Sequence, residues 1–129
     1  MTRRSITIVG ASLAGLRAAE SLRRGDYDGP ITLIGAEPHL PYDRPPLSKQ
    51  FLSGEWEADR LLLTKPDKLE ELDLDLRLGT RAERFDLAAR RLRLRGDDGS
   101  TAEIEVDGLL IATGARCRTL PGTGDLDGV

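Results

Sequence analysis

Aromatic residues make up only 4% of this 129-residue chain, and cysteine and histidine each occur once. So few aromatics leave no stacking platform for single-stranded nucleic acid. The net charge of -3 points the same way, since nucleic-acid modules are basic. With Cys117 alone, neither an internal disulfide nor a Cys-x-x-Cys pair is possible, which suits a reducing cytoplasmic setting. No metal site is expected. No segment approaches the ~20 apolar residues of a membrane span. Paired arginines precede Ser5–Val9, but that apolar run is shorter than the ~7–15 residues of an export signal's core.

What remains is a length suited to one domain and a composition of 39% hydrophobic and 32% charged residues, as expected of a globular protein. Ser5–Val9 reads as a strand buried on both faces. Leu13–Arg24 reads as a helix, with Ala14, Ala18 and Ala19 forming a flat side toward a sheet. Its residues Arg17, Glu20, Arg23 and Arg24 are expected to face water. Ile31–Ile34 is a second apolar strand, so residues 5–34 form one βαβ unit with parallel neighbours. A proline-rich loop, Gly35–Ser48, leads into a short helix from Pro46 to about Leu52. Pro66–Leu72 is another short helix, and Asp73–Leu78 alternates as a half-exposed strand. Residues 81–106 read as a β-meander with a turn at "GDDGS". "GLLIATG" is a last buried strand ending in a glycine turn, and the remaining tail is loop-like.

The chemistry gathers at the ends of the apolar strands. Gly10-Ala11-Ser12-Leu13-Ala14-Gly15 follows the dinucleotide fingerprint G-x-G-x-x-G, with serine in place of the middle glycine. The first glycine permits the tight turn, the second lets backbone approach a pyrophosphate, and the third lets helix and strand pack closely. The helix N-terminus offers unpaired N–H groups to the phosphates. Serine is small enough not to block that approach. An acidic residue is expected ~20 residues on, to accept from ribose hydroxyls, and Glu37 stands just past "ITLIG". It would repel a 2′-phosphate, which favours FAD or NAD over NADP. "IATGAR", Ile111–Arg116, brings a second glycine turn to the same end of the sheet. In "LPYDRPPLSK", prolines stiffen a loop carrying Asp43, Arg44 and Lys49. Arg44 suits a bidentate phosphate contact and Lys49 a point charge near a cofactor ring. Each of these features also has a plain reading, as a βα turn, an exposed acid, a strand end or a solvated linker.

Taken together and in this order, "VGASLAGLRAAESLR", "LIGAEPHLPYDRPPLSK" and "LLIATGARCR" resemble the N-terminal part of an FAD-dependent ferredoxin or rubredoxin reductase. This group lies in the pyridine nucleotide-disulfide oxidoreductase superfamily. The resemblance covers nearly the whole chain. It implies an α/β fold: a Rossmann-like, glutathione reductase-like FAD-binding parallel sheet with a β-meander, incomplete here. Residues 5–115 would be the first segment of a discontinuous FAD domain. Residues 116–129 would lead toward an NAD-binding domain absent from the chain. Gly10, Ser12, Ala14 and Gly15 would hold the FAD pyrophosphate, and Glu37 the adenosine ribose. Arg44 and Lys49 would contact FAD, with Lys49 close to the isoalloxazine and the candidate catalytic residue. Ala82 would touch the adenine side through backbone, and Thr113 and Gly114 would line the cleft.

Such reductases take hydride from a reduced nicotinamide, NADH or NADPH, onto FAD and pass electrons singly to a ferredoxin or rubredoxin-like iron–sulfur protein, often serving a P450 or dioxygenase. Disulfide reductases of the superfamily place a cysteine pair before a Pro-x-x-Lys-like segment. Here that region has no cysteine, so a direct one-electron acceptor is expected. The isolated chain is expected to be inactive and to bind FAD weakly. Two alternatives stay open: a stand-alone dinucleotide-binding module without catalysis, and an α/β interaction domain with structural glycine turns. The arginines of the meander, Arg91, Arg93 and Arg95 among them, read either as a docking patch for an acidic ferredoxin or as a solvated, edge-protecting face.

Overall fold

In the computed structural model, which describes residues 4–124 and residue 127, the apolar runs form a parallel sheet. β1 (Ile6–Val9), β2 (Ile31–Ile34), β3 (Leu74–Arg77) and β7 (Gly108–Ile111) lie side by side in the order β3-β2-β1-β7. The register aligns Val9 with both Ile34 and Ile111, so three strands end level with one another. Backbone bonds extend the ladder by one residue: Gly10 N donates to Ile34 O at 2.8 Å and Ala112 N to Val9 O at 2.8 Å. Burial on both faces explains why β1 and β2 are continuous apolar runs rather than alternating ones.

Helix α1 (Leu13–Arg24) covers one face of this sheet. Ala19 packs with Ile8, Ile31 and Leu33 in a cluster that excludes water. The flat side expected of the helix is carried by Ala18 and Ala19, whereas Ala14 is exposed. Arg23 also departs from expectation. Instead of facing water, its guanidinium donates to four carbonyls, of Leu72 (2.7 Å), Tyr27 (2.8 Å), Gly29 (2.8 Å) and Asp73 (2.8 Å). A planar fork of five N–H donors satisfies several loop carbonyls at once, and here it ties the end of α1 to the start of β3.

The other face carries the meander, β4 (Thr80–Asp86), β5 (Arg91–Gly96) and β6 (Thr101–Glu105), an antiparallel sheet in chain order. Leu92, Leu94 and Val106 meet Ile34 in the second core cluster. Its outer face is a ladder of opposite charges. Arg95 pairs with Glu83 at 2.7 Å, Arg93 with Glu83 at 3.7 Å, and Arg91 with Glu103 at 3.7 Å and Glu105 at 3.9 Å. The architecture is therefore three layers, helix, parallel sheet and antiparallel sheet.

The connection from β2 to β3 is mostly irregular. A 3-10 turn at Pro45–Ser48 replaces the longer helix expected from Pro46 to Leu52. A second 3-10 turn, Ala58–Leu61, was not expected from the sequence, and α2 (Pro66–Glu70) fills most of the Pro66–Leu72 span. The tail is irregular through Gly124, with one turn in which Thr123 N donates to Leu120 O. The expectation for Asp125, Leu126, Gly128 and Val129 lies outside the described residues.

Candidate functional site

A cleft of about 180 Å³ opens where β1, β2 and β7 end. Gly10, Ala11 and Ser12 form one wall, and Ala112 and Thr113 another. Thr80, Arg81 and Ala82 close it from the meander, with Glu37, Tyr42 and Arg44 at its rim. This is the carboxyl end of an open parallel sheet, where such sheets hold ligands.

The glycine turn shapes the cleft in two different ways. Gly10 has φ +116°, and a Cβ there would stand 2.1 Å from the Ala112 carbonyl oxygen, so only glycine lets β1 turn this close to β7. Gly15 is buried, and a Cβ on it would fall 1.8 Å from the Gly10 carbonyl oxygen. It is thus the helix-to-strand contact, and it does not line the cleft. Ser12 occupies the N-cap position with extended backbone (φ −120°, ψ −157°), and its hydroxyl makes no cap bond to the helix. Leu16 N is the first to bond back, to Ser12 O at 3.0 Å. The N–H groups of the first turn therefore remain open, with no acidic side chain in that turn to compete for them. Together with the helix dipole they favour an anion at this end.

The acidic rim residue is held from several sides. Gly79 N donates to Glu37 O at 3.0 Å and Thr80 N to Gly35 O at 2.8 Å. Those bonds give the segment Leu78-Gly79-Thr80 its role: with Gly79 at φ +58°, the chain hooks onto the β2 loop and carries Ala82 into the cleft. The Glu37 carboxylate accepts from Tyr42 Oη at 2.6 Å and from Arg44 Nη2 at 2.9 Å. The Arg44 guanidinium lies 5.8 Å from the Tyr42 ring centroid, and the His39 ring meets Tyr42 edge-on at 6.4 Å. Because the phenol proton is bonded to the Glu37 carboxylate, and because the ring is partly desolvated, the Tyr42 hydroxyl titrates above its ordinary value.

Of the residues singled out from the sequence, the cleft gathers Gly10, Ser12, Glu37, Arg44, Ala82 and Thr113. Ala14, Lys49 and Gly114 do not line it. Ala14 is exposed on the first turn of α1. Lys49 follows the 3-10 turn and donates from Nζ to the Pro45 carbonyl at 3.3 Å. Gly114 adopts φ +70° with open space around it. Tyr42 and His39 are cleft residues that sequence reasoning missed. The signal for Tyr42 was its place in "PYDR", inside the stiff loop and five residues beyond Glu37.

Residues 4–129 match the pyridine nucleotide-disulphide oxidoreductase family. The chain belongs to that family. As a member of the pyridine nucleotide-disulphide oxidoreductases it is 43% identical over 120 residues to the ferredoxin reductase component of chlorobenzene dioxygenase from Cupriavidus sp. (strain PS12), covering 92% of this chain and 28% of that protein. It is 41% identical over 126 residues to rhodocoxin reductase from Rhodococcus erythropolis, covering 97% and 29%. Among solved structures, the covalent putidaredoxin reductase–putidaredoxin complex matches with a TM-score of 0.85 and 33% identity, over 96% of this chain and 29% of that one. The chain thus spans under a third of the length of these relatives. Reduced Bacillus anthracis CoADR-RHD matches with the same TM-score, 0.85, at 18% identity, so the fold of this pyridine nucleotide-disulphide oxidoreductase segment is shared far more widely than its sequence. Cys117, the chain's one cysteine, is exposed and free. Among the described residues no helix is long and apolar enough to cross a membrane, and no cluster of side chains could hold a metal ion.

Proposed function

We propose that this chain is the first FAD-binding segment, residues 5–115, of an NADH-dependent ferredoxin-type reductase. The observation that carries the reading is the convergence of an open helix N-terminus, two close strand ends and the Glu37 carboxylate on one cleft. The residues fit such a group. Gly10 and Ser12 expose backbone toward the phosphates, with Ala14 and Gly15 completing the turn, and the first-turn N–H groups supply the donors a pyrophosphate needs. Glu37 accepts from ribose hydroxyls, which are donors. Ala82 and Thr113 close the sides. A cleft of about 180 Å³ suits one portion of a dinucleotide, here the adenosine diphosphate half. Lys49 and Gly114 then belong to the flavin half, with Lys49 near the isoalloxazine.

Bound FAD supplies two-electron acceptance from a nicotinamide and one-electron delivery to a metal centre. This chain's own residues bind and orient it. With a single cysteine the 129 residues hold no internal disulfide to relay electrons, so a ferredoxin or rubredoxin-like iron–sulfur protein is the acceptor, serving a dioxygenase or P450. The names of the ferredoxin reductase relatives support that partner. Residues 116–129 lead toward the nicotinamide-binding domain, and a reducing cytoplasmic compartment suits the free thiol.

Titrating the chain with FAD, read by flavin fluorescence, tests the binding step. One-to-one binding is expected, lost in Ser12→Leu, whose side chain fills the approach to the helix N-terminus. Binding of equal strength in that variant would overturn the assignment. With FAD added, the chain is expected not to reduce an artificial acceptor from NADH; reduction would overturn the division into segments.

A further inference from the structure

Glu37 lies on an exposed loop, and its side chain is 46% accessible. A free carboxylate in such a place samples many rotamers, and ordering it on binding opposes ligand capture. Here the carboxylate is fixed before any ligand arrives, with one oxygen bonded to Tyr42 and the other to Arg44. Each carboxylate oxygen has two acceptor positions, so these bonds leave the second position on each for ribose hydroxyls.

The hydroxyl of Tyr42 can hold Glu37 because the Tyr42 backbone is itself held. Tyr42 forms an isolated antiparallel bridge with Leu62, flanked by Asp43 N to Leu61 O at 2.7 Å and Leu63 N to Pro41 O at 3.0 Å. Pro41 is fully buried beside it. The segment 61–63, remote from every glycine motif, thereby anchors the rim of the cleft. The His39 edge and the Arg44 cation against the ring restrict the Tyr42 side chain further.

We propose that Tyr42 is a positioning residue for ribose recognition, its hydroxyl presenting the Glu37 carboxylate in the orientation that accepts the ribose hydroxyls. This rests on the reading of Glu37 as the ribose acceptor. Tyr42 acts through Glu37 and not on the ligand, so its effect must depend on the hydroxyls that Glu37 binds. Arg44 shares the clamp but carries charge toward phosphate as well, which makes Tyr42 the cleaner probe.

The test is calorimetric titration of the chain and of Tyr42→Phe with two probes, ADP and 2′,3′-dideoxy-ADP. The wild type is expected to prefer ADP. Tyr42→Phe should lower ADP affinity about three- to tenfold, the scale of one ordinary hydrogen bond, because Tyr42 acts on the ligand only through Glu37, and leave dideoxy-ADP affinity unchanged. Equal losses for both probes, or no loss for either, would overturn the positioning role. A wild type that binds both probes alike, or neither, would instead overturn the ribose role of Glu37, and the proposal with it. A second measurement needs no ligand. In ultraviolet titration of the two tyrosines, Tyr42, identified by its loss in Tyr42→Phe, should ionise above the ordinary range. Glu37→Gln should return it toward that range, with Arg44 and His39 the remaining groups facing the ring. An unmoved titration in Glu37→Gln would show that the bond does not persist in solution.

Discussion

The parallel sheet and the meander pack on one another, yet they use charge in opposite ways. In the meander, arginines alternate with leucines along β5, and every second residue is placed on an outer face beside glutamates of β4 and β6. Arg91, Arg93 and Arg95 are thereby paired within the sheet, while Arg81 and Arg84 of β4 stand opposite Arg95 and Arg93. The ends of the parallel strands hold few charges, and there the cleft presents open backbone N–H groups and one clamped carboxylate. The number of charged residues in a region is a poor guide to function; the meander's charges line an open sheet face, whereas the Glu37 carboxylate, itself bonded to Tyr42 and Arg44, stands at the rim of a cleft.

The sharpest way to break this contrast is in the parallel-sheet core. Leu33→Ala should cost about 4 kcal/mol, because Leu33 is fully buried between α1 and the sheet and leaves a cavity there. Urea denaturation would measure it. Gly15→Ala should cost about 3 kcal/mol, the upper end of overpacking, since the new methyl meets a backbone oxygen that cannot yield freely. A loss below about 1 kcal/mol would show that α1 can shift from β1, and that the third glycine is dispensable. On the meander, Arg95→Ala should cost under about 1 kcal/mol despite the short 2.7 Å contact, as the arginine side chain is 56% exposed. Its effect should shrink with added salt; an effect as large as that of Leu33→Ala would erase the distinction between the regions.

The smallest effect concerns the junction of the two sheets. Asp107 accepts from Ser5 N at 2.8 Å and Ser5 Oγ at 3.0 Å, which tethers the start of β7 to the start of β1. Those bonds, with a lesser contribution from Arg90 and Arg4, lower its pKa below 3.8. Stability from this group is present above the ordinary value and is lost as the pH falls through the depressed one. Asp107→Asn should therefore be slightly less stable than wild type near neutral pH and should converge with it in acid. Acid titration of thermal stability would detect the convergence, and parallel curves would remove the tether.

Much of this architecture was legible because periodicity reports burial. The continuous apolar runs 6–9 and 31–34 marked strands covered on both sides, and "RLRLR" marked one covered on a single side. That Gly10, Ser12 and Glu37 would meet at one strand end was legible because the fingerprint pattern places small residues and an acid at fixed spacing. The 3-10 turn at 58–61 was not legible, since four residues carry too little periodicity. Nor was the fate of Arg23, because four carbonyl partners in the loops before β2 and β3 leave no trace in residue type.

By itself the sequence determined the strands and helix α1, though not the short turns of the β2–β3 connection, and placed the glycine fingerprint between β1 and α1, since those choices depend on local backbone freedom and on the alternation of apolar residues. Only the tertiary structure decided that β7, about a hundred residues away, lies beside β1, because strand order is settled by which buried faces fit together. That neighbour confines Gly10 and forms the second wall of the cleft. Only the tertiary structure, too, turned Glu37 from one acid among many into a clamped carboxylate, because Tyr42 reaches it from a loop pinned by segment 61–63. Hydrogen bonds across a fold depend on where chains meet in space, and spacing along the chain does not carry that information.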